Sequence, residues 1–302
     1  MNLRPVLLLA SLAILSPVAM RASEGAPAAE PETMPEHRLR EISEHQLALF
    51  SDAVAQGKSL DNSAFTTQVE QLTREYESLL RDNPKFASGY ASYGYMLWKV
   101  GLKKQSVAIL LKANEMDPNI PLVKNELGNY LAEDGKPLEA VNYYLAAIKL
   151  QPKEPLYHYQ LGTLLYEARD DFLKSGEWTR ASIDHAMQEG FRTASELAPD
   201  RLEFAYRYAE SFYDMRDPDW KAALKAWQGM EARGQSEVER QTMRLHQATS
   251  SSTWGGWARP ARSSTPWATP LSTRRSRSWL RGWRPTPDNR PWIWTRSSSA
   301  TG

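Results

Sequence analysis

Three prolines, Pro84, Pro118 and Pro152, lie 34 residues apart, and this fixed period constrains the fold more than any other feature of the sequence. Each proline follows a segment in which small and apolar residues recur at the spacing of one helix face. Because proline cannot continue the hydrogen-bond ladder of a helix, each one marks the end of a helical segment. A period of this length predicts stacked helical hairpins, none of which can bury its apolar face alone.

Counting back from these prolines places repeating units at residues 53–86, 87–120 and 121–154, with further units at 155–201 and 202–235. In the third unit, Gly128 stands where two helices approach closely, and Ala140 faces it from the second helix. Small residues at such positions let helices pack, and prolines close the units. The signature positions of the repeat are Gly94, Pro118, Gly128, Ala140, Ala147, Pro152, Gly162 and Pro199.

This pattern resembles the tetratricopeptide repeat, a helix-turn-helix unit of 34 residues. The resemblance implies an all-α fold, in which stacked hairpins form a right-handed superhelical solenoid over residues 36–248. The solenoid would end in a partial sixth unit at residues 236–248. An irregular helical bundle, with prolines at these spacings by chance, is the alternative.

Two local features refine this prediction. The fourth unit contains 13 extra residues, at 169–181. They form either a loop that contacts a partner or an extra helical turn that packs Phe172 and Trp178 onto the solenoid. In the fifth unit, Asp217 followed by Pro218 predicts the start of the second helix, since Asp caps helices and proline suits their first turn.

In the family that the chain resembles, the first helices of successive hairpins line a concave groove that receives peptides or partner helices. Tyrosine and tryptophan rings offer a large contact area there, and asparagine amides can pair with an extended peptide backbone. The alternative for each tyrosine is that it fills space between repeats. The groove residues implied by the resemblance are Tyr95, Trp98, Asn125, Asn129, Tyr159, Tyr166, Tyr206, Glu210 and Tyr213.

The groove positions also indicate which partner fits. Chaperone-binding relatives hold a C-terminal carboxylate with Lys, Asn and Arg, whereas this chain has Asn125 where the first Lys is expected. We therefore expect no carboxylate clamp. A neutral or mildly basic peptide suits the acidic residues near the groove better, namely Glu133, Glu167, Glu210 and Asp214.

The N-terminus predicts export. Arg4 precedes an apolar run at residues 6–19, which is shorter than the roughly 20 residues of a membrane-spanning helix. We expect a signal peptide at residues 1–22 and a disordered leader at 23–35, rich in Ala, Glu and Pro. An uncleaved membrane anchor is the alternative. The expected location is the periplasm or the outside of the cell.

The composition changes abruptly after Ala248. Residues 249–302 carry nine Arg and one acidic residue, which leaves 28 basic and 35 acidic side chains in residues 1–248. The body is therefore mildly acidic, and nucleic acid is not an expected partner. The segment is rich in Arg, Ser and Trp and predicts a disordered tail. Three explanations of this segment are open. It is the product of out-of-frame translation, or it is a natural tail that follows a sixth helix acting as a solvent cap, or it is a basic and aromatic arm that binds membrane or nucleic acid.

No catalytic, cofactor or metal motif stands out. The five histidines show no metal-ligand spacing, there is no cysteine, and Gly57-Lys58-Ser59 lacks the leading glycine and preceding strand of a phosphate loop. We expect a non-enzymatic, exported scaffold that binds a protein or peptide of the cell envelope, without a cofactor. The alternative is a docking or sensing domain of a longer envelope protein or enzyme whose C-terminal part is missing. An incomplete sixth repeat also predicts self-association.

Overall fold

The computed structural model describes residues 32–234 and 236–254, except for the side chains of Lys58, Thr253 and Trp254. These residues form α-helices and two 3₁₀ turns, Gly57–Ser59 and Phe212–Asp214, with no strand among them. The helices are α1 (Met34–Gln56), α2 (Asn62–Asp82), α3 (Ala87–Lys99), α4 (Lys103–Met116), α5 (Pro121–Glu133), α6 (Pro137–Leu150), α7 (Pro155–Glu167), α8 (Arg169–Ser175), α9 (Arg180–Leu197), α10 (Leu202–Ser211), α11 (Trp220–Glu231) and α12 (Glu237–Trp254).

The chain divides into two compact units between Glu126 and Leu127, within α5. In the first unit, α1 packs against α2 and α3 against α4. In the second unit, α7 packs against α9, α9 against α10, and α11 against α12. The prediction of an all-α fold built from helical hairpins is confirmed for the described residues.

Prolines explain where four helices end. Helices α2, α4, α6 and α9 each stop two residues before a proline. The residue between helix and proline has a φ from −129° to −142° and a ψ of 70° or more, because the proline ring disfavours helical backbone in the preceding residue. The prolines concerned are Pro84, Pro118, Pro152 and Pro199.

Three signature glycines lie where a side chain would collide with a neighbouring helix. A Cβ atom on Gly94 would lie 2.7 Å from Leu110, and one on Gly128 would lie 2.9 Å from the Tyr144 ring. Ala140 is not among the three atoms nearest to Gly128, so Tyr144 is the closer neighbour there. On Gly162, a Cβ would lie 2.9 Å from the Phe191 ring. Because these glycines have no side chain, the two helices of each hairpin can pack as closely as residues do in a protein interior.

Small residues on the second helices are fully buried, as the repeat pattern requires. Ala140 and Ala147 of α6 have no exposed surface. Ser106 of α4 stands where the repeat has alanine, and it is also fully buried. Its hydroxyl donates to the Gly94 carbonyl oxygen at 2.7 Å, so the extra polar atom is satisfied inside the hairpin.

Some boundaries differ from those predicted from the sequence. The first hairpin begins well before residue 53, because α1 starts at Met34 with a capping box formed by Thr33 and Glu36. The second helix of the fifth unit starts at Trp220 rather than after Asp217. Asp219 caps it, since its carboxylate accepts from two backbone N–H groups at 3.0 Å.

Helix α12 passes the predicted end of the sixth unit at residue 248 and continues to Trp254. Residues 249–254, expected to belong to the tail, are therefore helical, and two of their hydroxyls are satisfied within the helix. Thr249 donates to the Leu245 carbonyl oxygen and Ser250 to that of His246. The rest of the tail, at 255–302, and the signal peptide lie outside the described residues.

Candidate functional site

Helices α7 and α10 are the first helices of the fourth and fifth repeats. Their side chains contact each other in the second unit, and this contact forms the candidate site. We call this surface the α7–α10 face. It consists of side chains from α7, α10 and the following 3₁₀ turn, namely Tyr159, Tyr166, Glu167, Arg207, Glu210 and Asp214. Three of the predicted groove residues, Tyr159, Tyr166 and Glu210, therefore lie on one surface.

Arg207 organises this face. Its guanidinium carbon lies 4.3 Å from the centre of the Tyr166 ring and 4.5 Å from that of Phe191. Its Nη1 donates to the Asp214 carboxylate at 2.9 Å and lies 3.5 Å from the Glu210 carboxylate. A guanidinium held between two rings and two carboxylates fixes the positions of all four neighbours.

Tyr159 connects α7 to the two helices beside it. Its ring centre lies 5.6 Å from that of Phe191 on α9 and 4.9 Å from that of Phe204 on α10. Burial raises the pKa of its hydroxyl to about 12; Arg207 opposes the rise, and the carboxylates of Glu210, Glu203 and Glu167 add to it. Tyr159 therefore fills space between repeats, which was the alternative predicted for each tyrosine. Its hydroxyl is also close enough to three carboxylates for their charge to act on it.

Two further predicted groove tyrosines belong to an aromatic cluster with α11 and α12. Tyr206 is 9% exposed and meets the Trp227 ring edge-on at 5.3 Å. Tyr213 lies 6.2 Å from Trp227, and its hydroxyl is 3.2 Å from His246 Nδ1. Tyr206 has little surface left for a partner, because its ring fills the space between α10 and α11.

His246 of α12 stacks on Trp227 of α11, with ring centres 4.0 Å apart and planes 8° from parallel. Burial lowers its pKa from 6.5 to about 4, since the charged form loses its hydration there. Between these values the unfolded chain binds a proton that the folded chain does not. The free energy of unfolding is then expected to fall as the pH drops from 6.5 toward 4, by up to roughly 3 kcal/mol.

Urea unfolding across this pH range checks the prediction. A His246→Phe variant keeps a ring on Trp227 but cannot titrate, so its stability should fall less with acid than that of the parent. His185 is exposed on α9, and His185→Phe serves as the control. If the free energy of unfolding fell by the same amount in the parent and in His246→Phe as the pH drops from 6.5 to 4, His246 would not be the source of the pH dependence.

The side chain of Asn129 on α5 forms hydrogen bonds to other residues of the protein. Its carbonyl oxygen accepts from the Tyr144 hydroxyl at 2.7 Å and from Gln160 Nε2 at 3.1 Å. An extended peptide that paired with this amide, as predicted, would compete with both contacts. The structure thus gives Asn129 a role in joining α5, α6 and α7.

Two predicted groove residues of the first unit, Tyr95 and Trp98, each have a lysine over their ring. Lys99 Nζ lies 4.9 Å from the Tyr95 ring centre. Burial lowers the pKa of Lys99 to about 8, and the Glu126 carboxylate opposes this shift. Lys103 Nζ lies 5.1 Å from the ring of Trp98, which is half-buried.

Asn125 corrects one prediction about the groove. It has no exposed surface, and its Nδ2 donates to Glu126 at 3.1 Å. A partner therefore cannot reach its side chain in this conformation, because neighbouring atoms cover the amide completely. The nearby Tyr95 is also buried, with 7% of its surface exposed.

Asp184 of α9 is a structural residue near the site that the sequence did not reveal. Its side chain is 4% exposed and accepts from Arg180 Nε at 2.7 and 2.8 Å through its two oxygens. Arg169 of α8 lies 3.5 Å away, and the Arg216 backbone N–H donates at 2.8 Å. This one carboxylate ties the inserted helix and the loop before α11 to α9, and α9 packs against both α7 and α10.

The inserted segment follows one of its two predicted alternatives. Residues Arg169–Ser175 form α8, and Phe172 has no exposed surface. The Trp178 ring meets Phe172 edge-on at 5.3 Å. The two aromatic side chains are thus packed on the helices, and the segment adds a short helix to the repeat.

Neither a metal cluster nor a membrane helix is present in the part of the chain that the structure describes. No group of three or more His, Cys, Asp or Glu side chains is arranged there to hold a metal ion. Among the same residues, every helix is too short or too polar to cross a bilayer.

Comparison with known proteins identifies the repeat. The family model described as the tetratricopeptide repeat matches residues 87–120 and 123–154. No curated protein matches the chain. Solved structures with a similar fold include MamA from Desulfovibrio magneticus RS-1, with 13% identity over 76% of this chain and 100% of that chain (TM-score 0.42).

Two further solved structures are similar at the same level. PilF from Pseudomonas aeruginosa shares 16% identity over 71% of this chain and 90% of that chain, with a TM-score of 0.47. YrrB, described as a TPR protein with an unusual peptide-binding site, shares 14% identity over 71% of this chain and 100% of that chain, with a TM-score of 0.43.

Proposed function

Because the chain contains tetratricopeptide repeats, we propose that it is a non-enzymatic scaffold that binds an extended segment of another protein on its α7–α10 face. Repeats of this kind are protein-interaction modules, so the coarse role follows from the repeat itself. The choice of surface rests on one observation. Arg207 holds Tyr166, Glu210 and Asp214 in fixed positions on adjacent first helices.

Fixed side chains favour binding because little conformational entropy is lost when a partner arrives. Tyr166 and Glu210 remain partly exposed, and Glu167 is exposed at the end of α7. An aromatic side chain beside charged groups is typical of residues that dominate the affinity of an interface. These residues replace Asn125 and Tyr206 as the best candidates for direct contact.

Site-specific photo-crosslinking tests this proposal. A photoreactive residue at Glu167 should crosslink one partner in an envelope extract, and excess unlabelled wild-type chain should suppress the product. The matched control is the same residue at Leu145, which is 46% exposed on the second helix α6. Crosslinking of that partner at Leu145 but not at Glu167 would refute the choice of surface.

We further propose that the chain is exported and acts on an envelope protein. Support comes from the sequence alone, where Arg4 and the apolar run at 6–19 precede the polar leader. Mass spectrometry of the protein isolated from its cells should find an N-terminus near residue 23. A mature chain that retains Met1 would contradict cleavage.

A further inference from the structure

Helix α12 is joined to the rest of the second unit through His246. The imidazole stacks on Trp227 of α11 with ring centres 4.0 Å apart, and it meets the Tyr206 ring of α10 edge-on at 6.3 Å. The Tyr213 hydroxyl, on the 3₁₀ turn after α10, lies 3.2 Å from His246 Nδ1 and 3.3 Å from the His246 carbonyl oxygen. One residue of α12 therefore contacts three other elements of the unit.

Apart from this contact, α12 buries little apolar surface. Among its described side chains, Met243 packs into the cluster of Tyr206 and Trp227, whereas Val238 and Leu245 are exposed. Helix α9, by comparison, buries three large apolar side chains, namely Ile183, Met187 and Phe191. Because burial of apolar side chains is the main force that holds helices together, α12 is held less firmly than α9.

The polar contacts between α12 and α11 lie at the surface. Arg244 Nε and Gln247 Nε2 both donate to the Glu231 carboxylate, each at 2.6 Å. The Arg244 side chain is 54% exposed, so water and dissolved ions weaken its attraction to Glu231. These contacts align α12 on α11, while His246 and Met243 supply the buried contact with the aromatic rings.

The surroundings of His246 do not offset a positive charge on its ring. Burial alone accounts for its lowered pKa. The hydroxyls of Tyr206 and Tyr213 stay neutral, because burial raises the pKa of both. The charged side chains around the aromatic rings are Glu210 and Arg207 of α10, Glu231 of α11 and Arg244 of α12. None of these four changes the pKa of His246.

We propose that α12 is a cover that opens when His246 takes up a proton, and that its opening exposes the aromatic rings of Tyr206, Tyr213 and Trp227. With α12 closed, the charged imidazole lacks the water that would hydrate it, whereas with α12 open it is hydrated. Opening is therefore favoured as the pH falls from 6.5 toward 4. Helices α7, α9 and α10 stay together, because α7 packs on α9 and α9 on α10. This opening is independent of any partner on the α7–α10 face.

Hydrogen exchange of the full chain at about pH 7.5 and about pH 5 tests this opening. At the higher pH, we expect the amides of α12 to be less protected than those of α9, because they exchange without unfolding of the whole unit. The pKa of His246 is 6.5 with α12 open and about 4 with α12 closed. The α12 protection factors, corrected for the intrinsic effect of pH on exchange, should therefore fall roughly 25-fold at the lower pH.

Two variants assign this effect to one residue. His246→Phe keeps a ring on Trp227 but cannot be protonated, so the fall in α12 protection should be absent. His185→Phe, at an exposed position on α9, is the matched control and should keep the fall.

Three outcomes would overturn the proposal. Equal protection of α12 and α9 in the parent chain, a comparison that needs no variant, would show that α12 opens only when the whole unit unfolds. Unchanged or slower exchange of α12 at the lower pH would show that attraction between the imidazolium and the aromatic rings matches or outweighs the lost hydration. An equal fall in the parent and in His246→Phe would assign the effect of pH to another residue.

Discussion

Replacing Asp184 by asparagine is expected to lower the free energy of unfolding by about 3–5 kcal/mol. The carboxylate is almost completely buried and neutralises Arg180 and Arg169, while it also accepts from the Arg216 backbone N–H. Asparagine keeps the shape but removes the charge, so the guanidiniums of Arg169 and Arg180, whose side chains are 16% and 33% exposed, lose their counterion. Removing one member of a buried ion pair costs more than the pair itself contributes.

Urea unfolding followed by circular dichroism measures this loss. Asp171→Asn is the matched control, because Asp171 lies exposed in the first turn of α8 and its change should alter stability by less than about 0.5 kcal/mol. Equal stabilities of the two variants would show that Asp184 does not hold α8 and the loop to α9.

Replacing Gly190 by alanine is expected to destabilise the second unit by about 2–3 kcal/mol. A Cβ atom there would lie 2.8 Å from the His158 carbonyl oxygen and 3.2 Å from the Gly162 nitrogen. Both are backbone atoms of α7, so the collision cannot be relieved by rotating a side chain. Helices α7 and α9 would have to move apart, and the packing of Phe191 against Gly162 would be lost.

The control is the same substitution at a second helical glycine. A Cβ on Gly229 of α11 would meet no atom within 4 Å. Gly229→Ala should therefore stabilise the protein by about 0.5–1 kcal/mol, through helix propensity and the lower entropy of the unfolded chain. Thermal melts compare the two variants. A Gly190→Ala protein as stable as Gly229→Ala would contradict the close contact of α7 and α9.

The positions of most helices could be predicted from the sequence, because they depend on local rules. Proline ends a helix and restricts the residue before it wherever it occurs, so Pro118 and Pro152 locate helix ends without further information. Helices α3, α5, α7 and α10 begin at the residues where counting back from the prolines places new units. The long α1 was missed because its unit keeps too little of the repeat pattern.

The candidate site could be predicted only in part, because its chemistry depends on residues distant in sequence. Asp184 binds residues on three different elements, and nothing in its own neighbourhood marks it as buried. Gly190 lies on the second helix of its unit, and its importance depends on the position of the His158 carbonyl. Tyr206 and Tyr166 look alike in sequence, but Trp227 covers the first and Arg207 stacks on the second.

Self-association and the role of the chain in a longer protein stay predictions from the sequence. Helix α12 exposes Val238 and Leu245, with 61% and 60% of their surfaces accessible, on one side of the helix. This exposed apolar surface would suit self-association through the sixth repeat, which stays a prediction. The role of the chain as one domain of a longer envelope protein also stays a prediction.

Hydrogen exchange of the protein with and without the partner captured by crosslinking at Glu167 tests the central claim most directly. We expect slower exchange in α7 and α10, whose side chains form the α7–α10 face, and unchanged exchange in α6 and α11. Protection confined to the second helices, with α7 and α10 unchanged, would contradict binding on the α7–α10 face.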